Sequence, residues 1–481
     1  MPIKVVLTVM PYFNHIYSFP LQLAYLKAYL IQDSDIDVKI FDAESFYFYS
    51  DVIKGDANFY WQKIYGADCA IDEKTKPILD MMVDSLLSSD PDVVGFSVSH
   101  PNYIFTRYVS QEIKRKKPGV YIVYGGLCYC FQERRISHVA QLHQSLHDVD
   151  CIIKNEGESA LLELVQVLKK GKSPNFIPGV TLRKKNRITD CGSRPLIGDI
   201  DLVPFPVFDD YSKEKYLADY IRILFFRGCS GRCSFCRENY VMGSVRMRSA
   251  SNIVSEISLR ISQGYKRFQS CDLSLNPSVP RLEEILKLII KETPGIEFVF
   301  GQFRHSGGFT RETFSLLKKA GFRNAYFGTE SFSQTVLNSM RKDTDTAIII
   351  KNIKDAYAEG LKVVLFFIVG FPAETEKTFE ETINFIKTNA HCISAVQHIS
   401  PLHINFGAPI YDALSDYGVD PYSVSESPNL WKTYDGKNNY QWRLGLYKRM
   451  CDCLIDSGIP MVDFLKEGNP SVPFSKKSLQ A

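Results

Sequence analysis

The sequence predicts an α/β protein built from two consecutive arrays of parallel strands and helices. Three observations support this prediction. Strand and helix signals alternate over residues 1–170, the alternation returns over residues 216–400 with six strands, and a cysteine cluster follows the first strand of the second array. Such alternation is typical of parallel sheets whose strands are joined by helices. We therefore expect a doubly wound, Rossmann-like sheet, a linker over residues 171–215, a partial (β/α)6 barrel, and a small C-terminal region over residues 401–481.

The first array contains five apolar strand signals separated by helical patterns. The strand signals are short and mostly rich in Val and Ile, which is typical of strands buried on both faces of a sheet. Between them, apolar residues recur at helical spacing. The predicted strands are Ile3–Val9, Val38–Phe41, Val93–Val98, Val120–Val123 and Cys151–Ile153, and the predicted helices are Leu21–Ile31, Ile78–Leu87, Phe105–Ile113 and Ala160–Leu168.

The second array repeats the strand-helix unit. Six strands predict a shortened relative of the eightfold barrel, in which functional residues lie in the loops after the strands. The predicted strands are Ile221–Phe226, Phe268–Leu273, Ile296–Gly301, Asn324–Gly328, Val363–Val369 and Ile393–His398, and the predicted helices are Ile253–Ile261, Leu282–Ile290, Thr313–Lys319, Ala347–Tyr357 and Phe379–Thr388.

The two remaining segments have weaker patterns. In the linker, Val180–Leu182 and Arg187–Thr189 predict a short hairpin, and a stretch containing prolines follows it. The C-terminal region is rich in Tyr and Trp and contains one predicted helix, Trp442–Ile455. Two interpretations of its aromatic residues stay open. They form ordinary packing, which is the common case, or they cap the barrel mouth and shape a substrate site.

Composition bounds the class of protein. The 481 residues are 45% hydrophobic and 23% charged, as in ordinary globular proteins, and the length suggests two or three domains. A net charge of +3 gives no electrostatic argument for nucleic acid as the main partner. We expect no signal peptide, because the first residues lead into a strand signal and not into a charged segment followed by a long apolar one. We expect no membrane span, because no run reaches about 18 apolar residues. The twelve scattered cysteines suit free thiols in a reducing cytoplasm.

Three cysteines in one short run are the strongest chemical signal. Cys229, Cys233 and Cys236 have the spacing C-x₃-C-x₂-C and directly follow an apolar strand. No fourth Cys or His stands close by in the sequence, whereas a structural zinc site needs a fourth ligand. A [4Fe–4S] cluster normally takes four protein thiolates. Three thiolates would leave one iron open for a small molecule, so we predict that these cysteines are both the metal ligands and the catalytic centre.

Small and hydroxyl residues mark the strand ends of the first array. Ligands of doubly wound sheets bind at the carboxyl ends of the strands, and glycine lets the backbone approach a ligand closely. Glycine at these positions is also common for turn geometry alone. The candidate ligand-binding residues are Ser97, Ser99, Gly125, Gly126, Glu156 and Gly157.

The cysteine run resembles the signature of the radical S-adenosylmethionine (SAM) superfamily, CxxxCxxC with an aromatic residue before the last cysteine. Phe235 is that aromatic residue here. The resemblance implies that SAM binds the open iron and is cleaved to a 5′-deoxyadenosyl radical. It further implies SAM contacts from residues after successive barrel strands, with Ala373 departing from the family's usual glycine in one turn. These residues are Asp272, Arg304, Glu330 and Gly370. For the three charged residues, a helix cap or a structural salt bridge is the alternative.

The first array resembles the cobalamin-binding domain found at the amino end of many radical SAM proteins. The matching features are the Pro20–Leu26 run, the Val-Gly-Phe-Ser strand, the Gly-Gly turn and the Gly-Glu turn. The Asp-x-His-x-x-Gly loop of other cobalamin domains is missing from the sequence, and His15 and His100 lack its context. The resemblance therefore implies cobalamin without a histidine ligand. A degenerate sheet that binds nothing is the alternative.

Together the resemblances imply a cobalamin-dependent radical SAM enzyme. Its expected reaction is methylation of an unactivated carbon, or phosphorus, through methylcobalamin and a 5′-deoxyadenosyl radical. The alternatives are non-methylating radical chemistry, a non-catalytic sensor of cobalamin or SAM, and methylthiolation of tRNA or protein. We expect one cluster, a small-molecule substrate with a peptide left open, and electrons from a flavodoxin or ferredoxin.

Overall fold

A computed structural model describes residues 1–11, 18–55, 71–130, 138–424 and 429–461. The chain forms two compact units, Met1–Asp219 and Tyr220–Ala481, and each is described by itself.

The first unit is built around one sheet with strand order β2-β1-β3-β4-β5-β6-β7. The first five strands are parallel, and the last two join them in antiparallel orientation. This confirms the predicted doubly wound fold, since the order reverses between β1 and β3, where such sheets open a crevice for ligands. The strands are β1 (Ile3–Thr8), β2 (Ile36–Phe41), β3 (Val93–Ser97), β4 (Tyr121–Gly125), β5 (Cys151–Ile153), β6 (Val180–Lys184) and β7 (Arg187–Asp190).

Helices cover both faces of this sheet, so apolar clusters form on each side of it. The central strands β1 and β3 are buried along nearly their whole length, which explains their continuous apolar runs. All four predicted helices are present within one to three residues. The helices of this unit are α1 (Leu21–Leu30), α2 (Ala43–Phe48), α3 (Thr75–Leu87), α4 (Tyr103–Lys116), α5 (His138–Gln144) and α6 (Glu158–Lys169).

The segment predicted as a linker is integrated into the first unit. Its predicted hairpin is present as β6 and β7, and β6 pairs with β5 at the edge of the sheet. Farther along, the Glu156 carboxylate accepts a hydrogen bond from the Ile197 amide at 2.8 Å. Asp209 and Asp210 both pair with the buried ammonium of Lys27 on α1. The sequence did not predict that this segment belongs to the first unit, because a hairpin pattern does not indicate which sheet the hairpin joins.

The second unit contains six consecutive parallel strand positions, as predicted for the partial barrel. A three-stranded sheet has the order β12-β11-β8, and a four-stranded sheet has the order β13-β14-β15-β16. Only Gly301 separates β12 from β13, so these two segments form one interrupted third strand. The strands are β8 (Ile221–Ile223), β9 (Phe226–Arg227), β10 (Arg246–Met247), β11 (Arg267–Ser270), β12 (Glu297–Phe300), β13 (Gln302–Phe303), β14 (Asn324–Glu330), β15 (Lys362–Val369) and β16 (Ala395–Pro401).

Most helices of the second unit begin at a hydroxyl, Asn or Asp residue whose side chain accepts an N-terminal amide hydrogen bond, which defines where they start. Ser249, Ser278, Thr310, Asp345 and Thr375 have this role. The sequence prediction missed the short helices α7 and α11. The helices are α7 (Glu238–Met242), α8 (Ala250–Ser262), α9 (Val279–Glu292), α10 (Arg311–Lys319), α11 (Gln334–Met340), α12 (Thr346–Ala358), α13 (Glu376–Asn389), α14 (Pro421–Val424) and α15 (Tyr440–Asp456).

The C-terminal region packs onto the second unit. The predicted helix is present as α15, which lies against β15 and β16. Trp431 is fully buried in an apolar cluster with Phe371, Leu402 and Ile404. Within the ranges that the structure describes, no helix is long and apolar enough to cross a membrane.

Candidate functional site

The three cysteines lie on the loop between β9 and α7, at the carboxyl edge of the barrel strands. Gly228 begins this loop with a φ of +84°, and a Cβ atom there would lie 2.8 Å from the carbonyl oxygens of Gly243 and Ser244. Only glycine fits such a backbone conformation and approach without strain. Within the loop, the Cys236 amide donates to the Cys233 carbonyl at 3.2 Å.

The cysteine loop is anchored from outside by Ser234 and the end of α11. The Ser234 amide donates to the Met340 carbonyl at 2.9 Å, and its hydroxyl donates to the Ser339 carbonyl at 3.3 Å. The Ser234 carbonyl accepts from the Ile410 amide at 2.9 Å. A helix that the sequence prediction missed therefore holds the cysteine loop.

Asp272 holds the strand that precedes the cysteine loop. Its carboxylate accepts the amides of Phe225 at 3.0 Å and Phe226 at 2.6 Å, and the hydroxyl of Ser270 at 2.6 Å. These bonds explain why the predicted strand is interrupted between β8 and β9. Burial raises the Asp272 pKa to about 7, although these three donors oppose the rise. Its predicted contact with the methionine end of SAM stays a prediction.

Arg304 follows β13 and reaches the cysteine loop. Its Nη1 lies 3.1 Å from the Sγ of Cys233, and its Nη2 donates to the Lys342 carbonyl at 2.6 Å. Burial lowers the Arg304 pKa, but the thiols of Cys233 and Cys229 raise it, and the net direction is upward. The sequence placed Arg304 at this edge but did not predict its contact with a cysteine.

Glu330 ends β14 with a φ of +63° at a β-bulge. Its Oε1 accepts from the Nζ of Lys342 at 3.1 Å, and both side chains are largely buried. A Cβ atom on Gly328 would lie 2.8 Å from that Oε1, so glycine is needed beneath the carboxylate. A positive φ at a non-glycine residue costs energy and is concentrated at functional sites. Lys342 was not predicted, because the distance of twelve residues from Glu330 follows no local pattern.

Gly370, at the end of β15, is held from two sides. Its amide donates to the buried carboxyl group of Glu374, and its carbonyl accepts from the Asn438 side chain at 3.1 Å. Burial raises the Glu374 pKa to about 8, against the lowering effect of the Gly370 amide. A Cβ atom on Gly370 would lie 2.2 Å from the side chain of Arg443.

Arg443 links the C-terminal region to this turn. Its guanidinium lies 3.7 Å from the ring centroid of Trp431, and it donates to the Asn438 side chain at 2.9 Å. Burial lowers its pKa to about 10. The aromatic C-terminal region therefore packs, as one interpretation held, and the same packing also holds the predicted SAM turn.

The donor set of the cysteine loop fits an iron–sulfur cluster, because it offers three thiols within eight positions. Cys233 is buried, whereas Cys229 and Cys236 are partly exposed. Across the ranges that the structure describes, no three His, Cys, Asp or Glu side chains converge closely enough to hold a metal ion. Phe235 is partly buried against the apolar cluster around Trp431. Its predicted place beside a cofactor stays a prediction.

The face of β14 and β15 that lies opposite the outer helices carries aromatic residues. Phe327 contacts Phe314 of α10 and so faces the outer helices, which directs its neighbour Tyr326 to the opposite face. There Tyr326 lies 4.5 Å from Phe300 and 6.3 Å from Phe366 between ring centroids. Phe300 of β12 and Phe366 of β15 are only partly buried, so this cluster leaves aromatic surface partly exposed on that face.

In the first unit, the ends of β3 and β4 lie side by side. Ser97 pairs with Gly125, and the Val98 amide donates to the Gly125 carbonyl at 2.7 Å. Gly126 has a φ of +95°, and a Cβ atom there would lie 2.7 Å from the Val98 carbonyl oxygen. The structure thus brings these predicted residues together, and the contact of the two strand ends is itself a reason for glycine.

Ser99 is the candidate whose side chain lacks a partner in this part of the molecule. Its hydroxyl oxygen is buried with no hydrogen-bond partner among the described residues, while its amide donates to Asn102 at 2.8 Å. Buried polar groups are normally satisfied, so an unpaired hydroxyl at a strand end fits a bound ligand. By contrast, Glu156 binds the Ile197 amide, and Gly157 precedes α6. Of the two histidines considered, His100 is exposed and His15 lies outside the described residues.

Residues 223–386 match the family model of the Radical SAM superfamily. This range includes the cysteine loop and the strand ends that carry Asp272, Arg304, Glu330 and Gly370. The predicted radical SAM domain is therefore confirmed in the second unit, and with it the expectation of an enzyme.

The overall fold is that of cobalamin-dependent radical SAM enzymes. TsrM from Kitasatospora setae, a radical SAM methyltransferase solved with cobalamin and a [4Fe–4S] cluster, matches with a TM-score of 0.66 and 17% identity. The match covers 87% of this chain and 77% of TsrM. The cobalamin-dependent radical SAM enzyme OxsB matches with a TM-score of 0.67 and 17% identity, over 91% of this chain and 63% of OxsB.

Two relatives are similar at the level of sequence. An uncharacterised methyltransferase of Pyrococcus horikoshii is 27% identical over 337 residues, which cover 67% of this chain and 72% of the relative. The anaerobic magnesium-protoporphyrin IX monomethyl ester cyclase of Rubrivivax gelatinosus is 26% identical over 318 residues. That alignment covers 63% of this chain and 55% of the cyclase.

Proposed function

We propose that this enzyme is a cobalamin-dependent radical SAM methyltransferase that methylates an unactivated carbon of a small molecule. The observation that carries the proposal is the three-thiol loop at the carboxyl edge of the barrel. It lies in a chain that is similar in fold to TsrM over 87% and to OxsB over 91% of its length. A SAM-bound cluster supplies a carbon radical, and cobalamin supplies the methyl group.

The residues of this chain bind and orient these groups. Cys229, Cys233 and Cys236 would hold the cluster. The carboxyl edge of the barrel would hold SAM through Phe235, Asp272, Arg304, Glu330 and Gly370. In the first unit, the edge of the sheet would hold cobalamin through Ser97, Ser99, Gly125, Gly126, Glu156 and Gly157. The unpaired hydroxyl of Ser99 supports the last assignment.

The partly exposed aromatic cluster beside β14 and β15 supports a small, partly flat substrate. Phe300, Tyr326 and Phe366 offer ring faces and apolar edges, which bind flat groups by stacking. TsrM, which shares the fold, has been solved with tryptophan as its substrate. We propose a cytoplasmic enzyme that receives electrons from a flavodoxin or ferredoxin.

The test needs no known substrate. The full chain is reconstituted anaerobically with iron, sulfide and hydroxocobalamin, and then receives SAM and a low-potential reductant. We expect methylcobalamin in the absorbance spectrum and S-adenosylhomocysteine by mass spectrometry. Retained cobalamin with neither product would contradict the methyltransferase assignment.

A second candidate is non-methylating radical chemistry on the same cofactors, such as ring closure. The similarity to the Rubrivivax cyclase favours it. In this case the same reconstituted protein would form 5′-deoxyadenosine but neither methylcobalamin nor S-adenosylhomocysteine. The single assay therefore separates the two candidates.

A further inference from the structure

We propose that Arg304 is a positioning residue that donates a hydrogen bond to the cluster ligand Cys233 and thereby raises the reduction potential of the bound cluster. The inference rests on the cluster of the proposed function, but not on methyl transfer or on the identity of the substrate. It assigns to Arg304 a role toward the cluster itself, separate from any contact with SAM.

The guanidinium is fixed at both of its terminal nitrogens. Nη1 lies 3.1 Å from the Sγ of Cys233, and Nη2 donates to the Lys342 carbonyl at 2.6 Å. The bond to the Lys342 carbonyl orients the planar guanidinium, so Nη1 points at the sulfur. The side chain is therefore held in one rotamer. Arg304 is also partly buried, which limits screening of its charge by water.

The backbone of Arg304 is fixed as well. Its amide donates to the Oδ1 of Asn276 at 2.9 Å, and its carbonyl accepts from the Nδ2 of Asn276 at 2.8 Å. Ser274 donates to the same Oδ1 at 2.8 Å, which holds the amide in one orientation. Asn276 and Ser274 are both buried, so the arginine projects from a rigid support.

The cysteine loop leaves space for the guanidinium at Gly231. A Cβ atom on Gly231 would lie 2.1 Å from Nη1 and 2.6 Å from Cζ of Arg304. Any side chain at this position would displace the guanidinium from Cys233. Glycine here is therefore explained by the arginine contact, because Gly231 does not have a positive φ that would require it.

The positive charge of Arg304 affects the reduction potential of the cluster. Reduction adds an electron to the cluster, so a nearby cation and a hydrogen bond to a ligand sulfur stabilise the reduced form more than the oxidised form. The contact therefore makes the cluster easier to reduce. In addition, it holds the Cys233 side chain in one orientation before the metal binds, as outer hydrogen bonds do at other metal sites.

The experiment measures the midpoint potential of the reconstituted full chain in the absence of SAM, by redox titration followed by electron paramagnetic resonance. Two variants break the contact from opposite sides: Arg304→Met removes the donor, and Gly231→Ala displaces it while keeping the charge. Arg304→Lys keeps a cation without the planar fork. Arg281→Met, which removes a partly exposed arginine of α9, is the matched control.

We expect Arg304→Met and Gly231→Ala to have lower midpoint potentials than the wild type, Arg304→Lys to lie between, and the control to be unchanged. If Arg304→Met assembles no cluster, Gly231→Ala and Arg304→Lys decide the question. Unchanged potentials in the cluster-containing variants would overturn the inference. A wild-type chain that assembles no cluster would instead contradict the proposed function, so the two failures are distinguishable.

Discussion

The two units differ in the residues that form the carboxyl edges of their parallel strands. In each, loops after parallel strands meet at the carboxyl edge of a sheet. In the first unit this edge, here called the glycine edge, consists of residues 97–99 and 125–126, and its strand ends touch through backbone and small side chains. In the second unit the corresponding edge, here called the charged edge, is held by Asp272, Arg304, Glu330 and Glu374.

The difference indicates what each edge is suited to bind. A glycine edge leaves a flat surface on which a large ligand can lie, and it needs no charge. A charged edge fixes the loops around compact ionic groups, and its buried ion pairs and carboxyl groups orient one another. The predictions below disturb one edge at a time and ask whether the other keeps its function.

The largest effect is expected for Cys233→Ala on the charged edge. Loss of one of three thiolates removes most cluster iron and abolishes SAM cleavage, while cobalamin retention by the first unit is unchanged. Iron analysis, 5′-deoxyadenosine assay and absorbance of bound cobalamin measure the three quantities. Cys271→Ala is the matched control, since this exposed cysteine belongs to the same edge but lies outside the cysteine run. SAM cleavage by Cys233→Ala would refute the site assignment.

The second effect concerns the support beneath the cysteine loop. Asp272→Ala leaves the amides of Phe225 and Phe226 buried without their acceptor, which costs about 2–4 kcal/mol of unfolding free energy. We expect lower iron content as well, because the strand before the loop loses its anchor. Denaturant unfolding followed by tryptophan fluorescence measures the loss, with exposed Asp416→Ala as the control. Equal stability of the two variants would contradict the anchoring role.

The third prediction breaks the glycine edge. Gly126→Val places a branched side chain against the Val98 backbone at a positive φ, so cobalamin retention should fall by about tenfold, or ~1.4 kcal/mol. The cluster should assemble normally. Gly119→Val is the control, because nothing lies within 4 Å of its Cβ position. Unchanged retention in Gly126→Val would place the cobalamin pocket elsewhere.

The sequence predicted the elements and the edges more completely than the contacts between them. Strand and helix positions follow from hydrophobic periodicity, which is local, and the cysteine spacing is local too. Lys342, Asn276 and Arg443 were missed because their partners are far away in sequence: Glu330, Arg304 and the Gly370 turn. Only folding brings these groups together.

The linker and the interrupted first barrel strand also show that local sequence patterns do not predict long-range contacts. Val180–Leu182 was correctly predicted as part of a hairpin, but its pairing with β5 depends on a long-range choice of partner. Likewise, Ile221–Phe226 has the composition of one strand. Asp272, which lies 46 residues beyond Phe226, accepts hydrogen bonds from two amides of this segment. The segment is therefore interrupted between β8 and β9. Local patterns do not contain such information.

The last prediction is a pH dependence on the charged edge that the uncharged glycine edge cannot produce. Burial raises the pKa of Glu374 to about 8, from a model-compound value of 4.5. Between these two values the folded state holds a proton that the unfolded state has released. The carboxyl group therefore contributes a stability that declines as pH rises through this window, by up to about 1.4 kcal/mol per pH unit, and then becomes constant above pH 8.

The Glu374→Gln variant isolates this contribution, because the amide is neutral at every pH and its oxygen can still accept from the Gly370 amide. Unfolding free energies measured from pH 5.5 to 8.5 should fall more steeply in the wild type than in the variant. Glu376→Gln is the control: ion pairing with Arg449 lowers the pKa of Glu376, so it is ionised in both states throughout this range. Parallel pH profiles for the wild type and Glu374→Gln would mean that Glu374 is ionised in the folded protein. The turn at Gly370 would then carry a negative charge at pH 7, despite the burial of its carboxyl group.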